Sequence, residues 1–190
     1  MHNNVRRNEV KMRTTIHKVF WVWNFDKEEK WLNEMAAKGL CLVSVGLFRY
    51  DFEECEPGEY QIRMQMLENR PNHPESQKYM EFLEGTNVEH VGSVLRWAYF
   101  RKKAADGEFE IFSDNESRVK YLTQVIRFIA LLAFINLYIG AYNTYLAIIH
   151  DNVINYIGFV NIAISFFAAF GIFKLMKKRN NLKKEGQVFE

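Results

Sequence analysis

Hydrophobic and polar positions divide the chain into two parts with different patterns. Residues 17–112 mix charged and apolar positions at short spacings, whereas residues 128–149 and 153–173 contain no Asp, Glu, Lys or Arg. A helix needs about 20 apolar residues to cross a hydrocarbon core of about 30 Å, and both uncharged runs have that length. The pattern therefore predicts a folded N-terminal domain followed by a two-helix transmembrane hairpin.

Positive charge is unevenly distributed around the two apolar runs. The connection at residues 150–152 has no Lys or Arg, whereas both outer ends are basic: Arg118, Lys120 and Arg127 before the first run, and the tail 174–190 after the second. Because loops rich in Lys and Arg stay in the cytoplasm, both termini are expected to be cytoplasmic. We expect a multi-pass protein of the bacterial cell membrane with two spans and with Asp151 outside.

Small and polar residues recur on one face of each predicted span. Small residues let helix backbones approach closely, and Asn amides bond between helices. We expect these residues to pack the hairpin or to mediate homo-oligomer contacts. Neither run contains an ionisable group, which argues against an ion or substrate path formed by this chain alone. The predicted packing residues are Asn136, Gly140 and Asn143 in the first span and Asn155, Gly158 and Ser165 in the second.

Alternating and helical patterns in the N-terminal part predict the element order β-α-β-β-α-β. This is the order of a ferredoxin-like α+β domain, an antiparallel sheet with helices on one face. An unrelated α+β sandwich with the same element order is the alternative. The predicted strands are residues 17–25, 40–52, 60–66 and 88–102, with a short edge strand at 109–112, and the predicted helices are 26–38 and 74–84.

Local signals mark where the predicted helices and turns begin and end. Asp26 with Glu29 resembles a capping box, and Gly39 is suited to a helix stop. Pro57-Gly58 favours a type II turn, and Pro74 suits the first position of a helix.

The domain organisation follows from these elements. Ser113 opens a second capping box, so a helix is expected to run without a break into the first span. Residues 1–11 have no predicted structure, the first residues contain no apolar signal-peptide core, and Met12 is an alternative start. The predicted parts are a basic extension (1–15), a cytosolic α+β domain (16–112), an amphipathic connecting helix (113–127), the transmembrane hairpin (128–173) and a basic cytosolic tail (174–190).

Closely spaced aromatic residues form the candidate interaction surface. If the predicted strands turn them away from the helices, they form an exposed platform for a partner. If they face the helices they are core, and the sequence does not decide between the two. Trp31 lies on the apolar stripe of the first helix and is expected to be core. The candidate residues are Trp21, Trp23, Phe48, Tyr50, Trp97 and Tyr99.

Charge and motifs narrow the function classes. A net charge of +2 does not argue for direct binding of nucleic acid. Cys41 and Cys55 are expected to be reduced thiols in a reducing compartment, without zinc-ligand spacing. The acidic turn either binds a cation or is simply solvated; its residues are Glu53, Glu54, Glu56 and Glu59. With no G-x-G-x-x-G, P-loop or trusted triad, we expect no enzyme, no catalytic residues, no cofactor and no metal.

Three segments carry a family resemblance. They are FWVWNFDKEEKWLNEMAAKGL (20–40), YDFEECEPGEYQIRM (50–64) and EHVGSVLRWAYFRKK (89–103). They resemble the domain of unknown function 2812 family, which implies a bacterial protein with a soluble domain before membrane spans. The resemblance also implies an association with PadR-like transcriptional repressors, and it supplies no catalytic residues.

The expected function combines these observations. We expect a non-enzymatic, membrane-anchored sensory, regulatory or interaction protein that contacts membrane lipid and partners a PadR-like regulator. The alternative is an accessory or assembly subunit of a larger membrane complex such as a transporter. Homo-oligomerisation is compatible with both.

Overall fold

The computed structural model describes residues 13–112, 114–150 and 156–188, with side chains as far as Glu185. The chain divides into two compact units, one ending at Ile111 and the other beginning at Phe112. The first unit is a mixed domain of strands and helices, and the second consists of two long helices. The α+β class predicted for the N-terminal part is thereby confirmed.

Among the residues that the structure describes, the first unit has six strands and two helices. The strands make two antiparallel sheets of three strands, in the orders β1-β3-β2 and β4-β6-β5. Short 3-10 turns lie at Val22–Asn24 and Ala104–Asp106. The elements are β1 (Arg13–His17), α1 (Phe25–Ala37), β2 (Leu40–Gly46), β3 (Arg49–Glu54), β4 (Tyr60–Met66), α2 (Pro74–Glu84), β5 (Val88–Val94) and β6 (Trp97–Lys103).

The two halves of this unit repeat one β-α-β-β plan. In each half the last strand lies in the middle of its sheet, between the strand before the helix and the strand after it. The hairpin registers agree with a shift of 48 positions, since Leu40 faces Glu54 and Val88 faces Lys102. Each hairpin also has a bulge at the corresponding place, between Leu42 and Ser44 in β2 and between His90 and Gly92 in β5. A bulge increases the local twist of a strand.

The same shift relates the residues that link each helix to its strand. Gly39 before β2 has a φ of +82° and Asn87 before β5 has a φ of +62°. Glycine and asparagine are the residues that adopt this left-handed region most readily. Phe52 and Phe100, the corresponding residues of the two central strands, are both fully buried.

The strand predictions were partly right. The strand at 60–66 and the helix at 74–84 are found as β4 and α2, and the first helix differs by one residue at each end. The predicted single strands 40–52 and 88–102 are instead two hairpins, and β4 pairs with β6 rather than with 40–52. The first strand lies at Arg13–His17, which overlaps the predicted extension (1–15) and only the first residue of the predicted strand 17–25, and residues 109–112 are not a strand. The single ferredoxin-like sheet is not confirmed.

Most of the local signals were correct. Gly39 ends α1, and its N–H donates to the carbonyl of Ala36 at 3.0 Å. The turn at Pro57-Gly58 has the type II φ of +76° at Gly58. Pro74 begins α2. The N-cap prediction for Asp26 was wrong, because α1 begins at Phe25 and the residue before it, Asn24, makes no side-chain cap.

The second unit is a pair of long antiparallel helices, α3 (Asn115–His150) and α4 (Ile157–Val188). Asp114 caps α3, since its Oδ1 accepts from the N–H of Ser117 at 2.6 Å. The predicted cap residue Ser113 lies outside the described residues. Both helices are long and apolar enough to cross a membrane.

Candidate functional site

A buried carboxylate lies at the centre of the first unit. Glu28 on α1 is 7 % exposed, and its Oε1 accepts hydrogen bonds from two tyrosine hydroxyls. Tyr50 of β3 donates at 2.7 Å and Tyr99 of β6 donates at 2.6 Å. Because β3 and β6 are the central strands of the two sheets, one helix residue joins both sheets.

Burial and hydrogen bonding act on this carboxylate in opposite directions. Burial raises the pKa of Glu28 above its ordinary value, and the hydroxyls of Tyr99 and Tyr50 lower it in part. Burial and the nearby charge of Glu28 raise the pKa of Tyr50 and of Tyr99, so both hydroxyls stay protonated and act as donors. The cluster therefore links α1 to both sheets through buried, charge-assisted hydrogen bonds.

The sequence interpretation did not identify Glu28, and it assigned Tyr50 and Tyr99 to the candidate interaction surface. Four side chains are buried on α1: Phe25, Glu28, Leu32 and Ala36. They recur at helical spacings of three, four and four, so Glu28 lies within an apolar stripe. That position is the signal by which the sequence indicates a buried acid.

Polar side chains of α1 also cover the free edge of β4. The Asn33 amide donates to the carbonyl of Ile62 at 2.8 Å and accepts from its N–H at 2.9 Å. Glu29 Oε2 accepts from the N–H of Met64 at 2.8 Å, and burial raises its pKa. An uncovered strand edge is a site of non-specific pairing. α1 of the first repeat therefore joins the second repeat as well as its own.

The candidate aromatic residues do not share one face. Trp23, Tyr50, Trp97 and Tyr99 are buried, which supports the core interpretation for these four. Trp21 and Phe48 are 51 % and 48 % exposed. Trp21 stacks on Trp23 with ring centroids 5.6 Å apart. The predicted six-residue platform is therefore not present as one surface, because residues 20–23 do not form a strand.

Exposed apolar residues do cluster on two joined segments. The N–H of Lys18 donates to the carbonyl of Phe48 at 3.1 Å, which brings the chain after β1 to the tip of the β2–β3 hairpin. We call the five exposed apolar residues of these segments the apolar patch; they are Val19, Trp21, Val22, Leu47 and Phe48.

Trp31 lies at the border of the core. It is half-buried and contacts Tyr50 and Phe52 edge-on, with ring centroids 5.0 and 5.8 Å apart. The ammonium of Lys18 lies 4.4 Å from the Trp31 ring centroid and 5.0 Å from that of Phe20, a cation–π arrangement. The expectation of a core residue was therefore right for one side of this ring.

The cysteine prediction was wrong. Cys41 near the start of β2 and Cys55 after the end of β3 form a disulfide, with their Cα atoms 5.9 Å apart. The two residues are distant in the predicted topology, which treats 40–52 as one strand, but the β2–β3 hairpin places them side by side. Glu59 is the member of the acidic turn that lies beside them, with possible ligand atoms of all three residues within 4.8 Å of one another.

The second repeat has a cavity where the first has its carboxylate. By the shift of 48 positions Ser76 corresponds to Glu28, and both side chains are buried. Ser76 lines a cavity of about 230 Å³ together with Gln65, Glu75 and Tyr79. The Tyr79 hydroxyl donates to Gln65 Oε1 at 2.6 Å across this wall.

Small residues bring α3 and α4 together. A Cβ on Gly158 would lie 2.6 Å from the carbonyl oxygen of Gly140 and from Thr144 Oγ1, so the backbones approach without room for a side chain. Ser165 Oγ donates to the carbonyl of Ala133 at 3.0 Å. Asn136 instead bonds to its own helix, at the carbonyl of Leu132.

Asn143 and Asn155 are the remaining predicted packing residues. Asn143 is half-buried on α3. Asn155 lies outside the described residues.

Comparison with known proteins gives one finding. Residues 24–134 match the family described as "Protein of unknown function (DUF2812)", a region that covers α1 to β6 and reaches into α3. No curated protein and no solved structure matched the sequence. The family region is more than half of the chain and includes Glu28, Tyr50 and Tyr99. The chain therefore belongs to the DUF2812 family.

Proposed function

We propose that this protein is a non-enzymatic, membrane-anchored sensory or interaction protein. The observation that carries the proposal is the apolar patch of the first unit, a domain followed by two helices of membrane-spanning length. Contiguous exposed apolar residues favour contact with a partner, since leaving them in water costs free energy. The buried Glu28 cluster supports a stable domain rather than an acid–base site.

The membrane-anchoring part of the proposal rests on length, composition and charge. Two antiparallel helices that approach at Gly140 and Gly158 suit a hairpin in a bilayer. The basic flanks favour an orientation with both termini in the cytoplasm and Asp151 outside. Reporter fusions test this orientation. A fluorescent protein at the C-terminus is expected to fluoresce, and alkaline phosphatase inserted after Asp151 is expected to be active. The opposite result would reject the orientation.

The apolar patch is the proposed contact surface, and a PadR-like transcriptional regulator is the proposed partner. The partner class is proposed from the association that the family resemblance implies, and the apolar patch supports a contact made through apolar side chains. Large aromatic residues such as Trp21 often dominate binding energy when they become buried in an interface. Binding at this surface would hold the regulator at the membrane.

The test uses purified full-length protein in detergent and a purified PadR-like transcriptional regulator of the same organism. Binding is measured by surface plasmon resonance for the wild type and for the double variant Trp21→Ser/Phe48→Ser. We expect the double variant to weaken binding at least about tenfold, as for the loss of one strong contact residue. Phe82→Ser is the matched control, because Phe82 is exposed on α2 outside the patch. Equal affinities of wild type and double variant would reject the patch as the contact surface.

A role as an accessory or assembly subunit of a larger membrane complex is the second candidate. It is favoured by Asn136, a polar residue in a helix of membrane-spanning length, whose Nδ2 donates to the carbonyl of Leu132 in its own helix. Polar groups in a bilayer tend to find partners on other helices. Native mass spectrometry of mild detergent extracts separates the candidates. A stable complex that is lost in Asn136→Leu supports a subunit role, whereas an isolated monomer or dimer in both proteins argues against it.

A further inference from the structure

We propose that Cys41, Cys55 and Glu59 form a redox-gated binding site for a thiophilic divalent cation of the zinc class. The three side chains come from β2, from the residue after β3 and from the following turn. Their possible ligand atoms lie within 4.8 Å of one another, and Cys41 is buried. The two cysteines lack the short sequence spacing that is typical of zinc ligands. They come together only because the β2–β3 hairpin places their strand ends side by side. This proposal is independent of the proposed function.

Backbone hydrogen bonds hold the three ligand residues in place. The N–H of Cys55 donates to the carbonyl of Gly39 at 2.9 Å, which ties the end of β3 to the residue that precedes β2. The N–H of Gly58 donates to the carbonyl of Ala36 at 2.9 Å, so the turn is also fixed to the end of α1. None of these bonds depends on the disulfide, and we therefore expect the backbone of the reduced protein to keep this arrangement. Rotation of the two cysteine side chains then separates the sulfurs enough for both to bind one cation.

The carboxylate of Glu59 is oriented by its own turn. Its Oε2 accepts from the N–H of Glu56 at 3.3 Å, which positions the side chain beside the sulfurs. One carboxylate oxygen of Glu59 lies within 4.8 Å of both sulfurs, close enough for the three atoms to bind one cation. A set of two thiolates and one carboxylate suits a tetrahedral Zn²⁺ with water at the fourth position. Thiolate ligands select zinc over magnesium or calcium.

Oxidation and metal binding exclude each other at this site. The reduced pair supplies two thiolates to the cation. A peroxide accepts two electrons from these thiolates and two protons from solvent, and gives two water molecules when the peroxide is H₂O₂. The sulfurs form the disulfide bond and the cation is released without change of its charge. In a reducing compartment the pair stays available for the cation.

The test uses full-length protein in detergent, reduced with a phosphine and freed of metal with a chelator. Zn²⁺ is titrated by calorimetry, and Cd²⁺ by the ultraviolet absorption of cadmium–thiolate bonds. We expect one ion per chain for the reduced protein and loss of binding after treatment with H₂O₂. No binding to the reduced protein, or equal binding after oxidation, would overturn the proposal.

Variants identify the ligands. Glu59→Gln is expected to weaken Zn²⁺ binding at least tenfold, whereas Glu54→Gln, an exposed acid at the end of β3, is expected to leave it unchanged. Cys55→Ser is expected to abolish the cadmium–thiolate absorption of a two-sulfur site. Circular dichroism shows whether each variant is folded. Equal affinities of Glu59→Gln and Glu54→Gln in folded proteins would exclude Glu59 as a ligand.

Discussion

The two β-α-β-β repeats of the first unit share one backbone plan but differ in what their helices do. Both have the same strand order, the same bulge and a left-handed residue before the second strand. Yet α1 buries four side chains, including Glu28, whereas α2 buries Ser76. Equal topology therefore does not give equal burial.

The position of the helices explains this difference. α1 contacts its own sheet through the Tyr50 bond to Glu28 and the other sheet through Tyr99 and the edge of β4. α2 packs by one side, through half-buried Tyr79, Met80 and Leu83, on a smaller cluster that includes Val88 and Phe100. The first repeat therefore supplies the central helix of the whole unit. The same repeat carries the disulfide and the apolar patch.

The largest difference in stability between the repeats is expected when a leucine of each helix is shortened to alanine. Leu32 of α1 is fully buried, and Leu32→Ala is expected to lower the free energy of unfolding by roughly 2–5 kcal/mol. Leu83→Ala on α2 is expected to cost about 1 kcal/mol, since that side chain is half-buried. Denaturant unfolding followed by tryptophan fluorescence measures both, because all four tryptophans lie in the first unit. Equal costs would contradict a central role for α1.

The sequence predicts helices and glycine-dependent turns better than it predicts hairpins. Gly39, Pro57-Gly58 and Pro74 are signals with a local physical cause, and each was correct. The two hairpin tips have no such signal, because the left-handed positions are held by Phe48 and Leu95 rather than by glycine. A continuous run of strand-forming residues then reads as one long strand.

The candidate site was less accessible to sequence analysis for the same reason. Tyr50 and Tyr99 meet at Glu28 because two hairpins and a helix bring them together across 71 positions of the chain. Without the hairpins the sheet faces are wrong, and buried aromatic residues are indistinguishable from exposed ones.

The next largest difference in stability between the repeats is expected at Gly39 and Asn87, the residues with left-handed backbone conformation before β2 and β5. Gly39→Ala adds a Cβ 2.9 Å from the carbonyl oxygen of Cys55 in a backbone conformation that favours glycine. We expect a cost of about 1–3 kcal/mol. Asn87→Gly at the corresponding position of the second repeat is expected to change stability by less than about 0.5 kcal/mol, since glycine adopts the conformation freely. Thermal unfolding compares the two, and a stable Gly39→Ala would show that the turn at Cys55 can move.

The edge contact of α1 is expected to have a smaller effect. Asn33→Ala leaves the N–H and carbonyl of Ile62 without their side-chain partner, which costs about 1–2 kcal/mol. Glu81 is the corresponding residue of α2 and is exposed, so Glu81→Ala is expected to be neutral. Hydrogen exchange at the amide of Ile62 is the sharper measurement. Protection that is unchanged in Asn33→Ala would mean that the bond to Asn33 is not what shields this amide from water.

The smallest change in stability at any one pH is expected for substitution of Glu28. The direction in which this change varies with pH identifies its cause. Burial raises its pKa in the folded state above the ordinary value of 4.5, so the folded protein holds the proton more tightly than the unfolded chain does. Stability from this group is complete below pH 4.5 and is lost as the pH rises through the folded-state pKa. Glu28→Gln keeps an oxygen acceptor for the tyrosines but does not titrate.

The variant Glu28→Gln should therefore gain stability relative to wild type as the pH rises from 4.5 to 8, and this trend is the measured quantity. Glu29, whose pKa burial also raises, is present in both proteins and cancels in the difference. Ser76→Ala provides the counterpart in the second repeat, because a hydroxyl does not titrate and its effect should be the same at every pH. A difference between Glu28→Gln and wild type that does not vary with pH would mean that Glu28 titrates as it does in the unfolded chain. The two sheets would then be joined at a carboxylate that water reaches, and the central cluster would be open to a ligand from solvent.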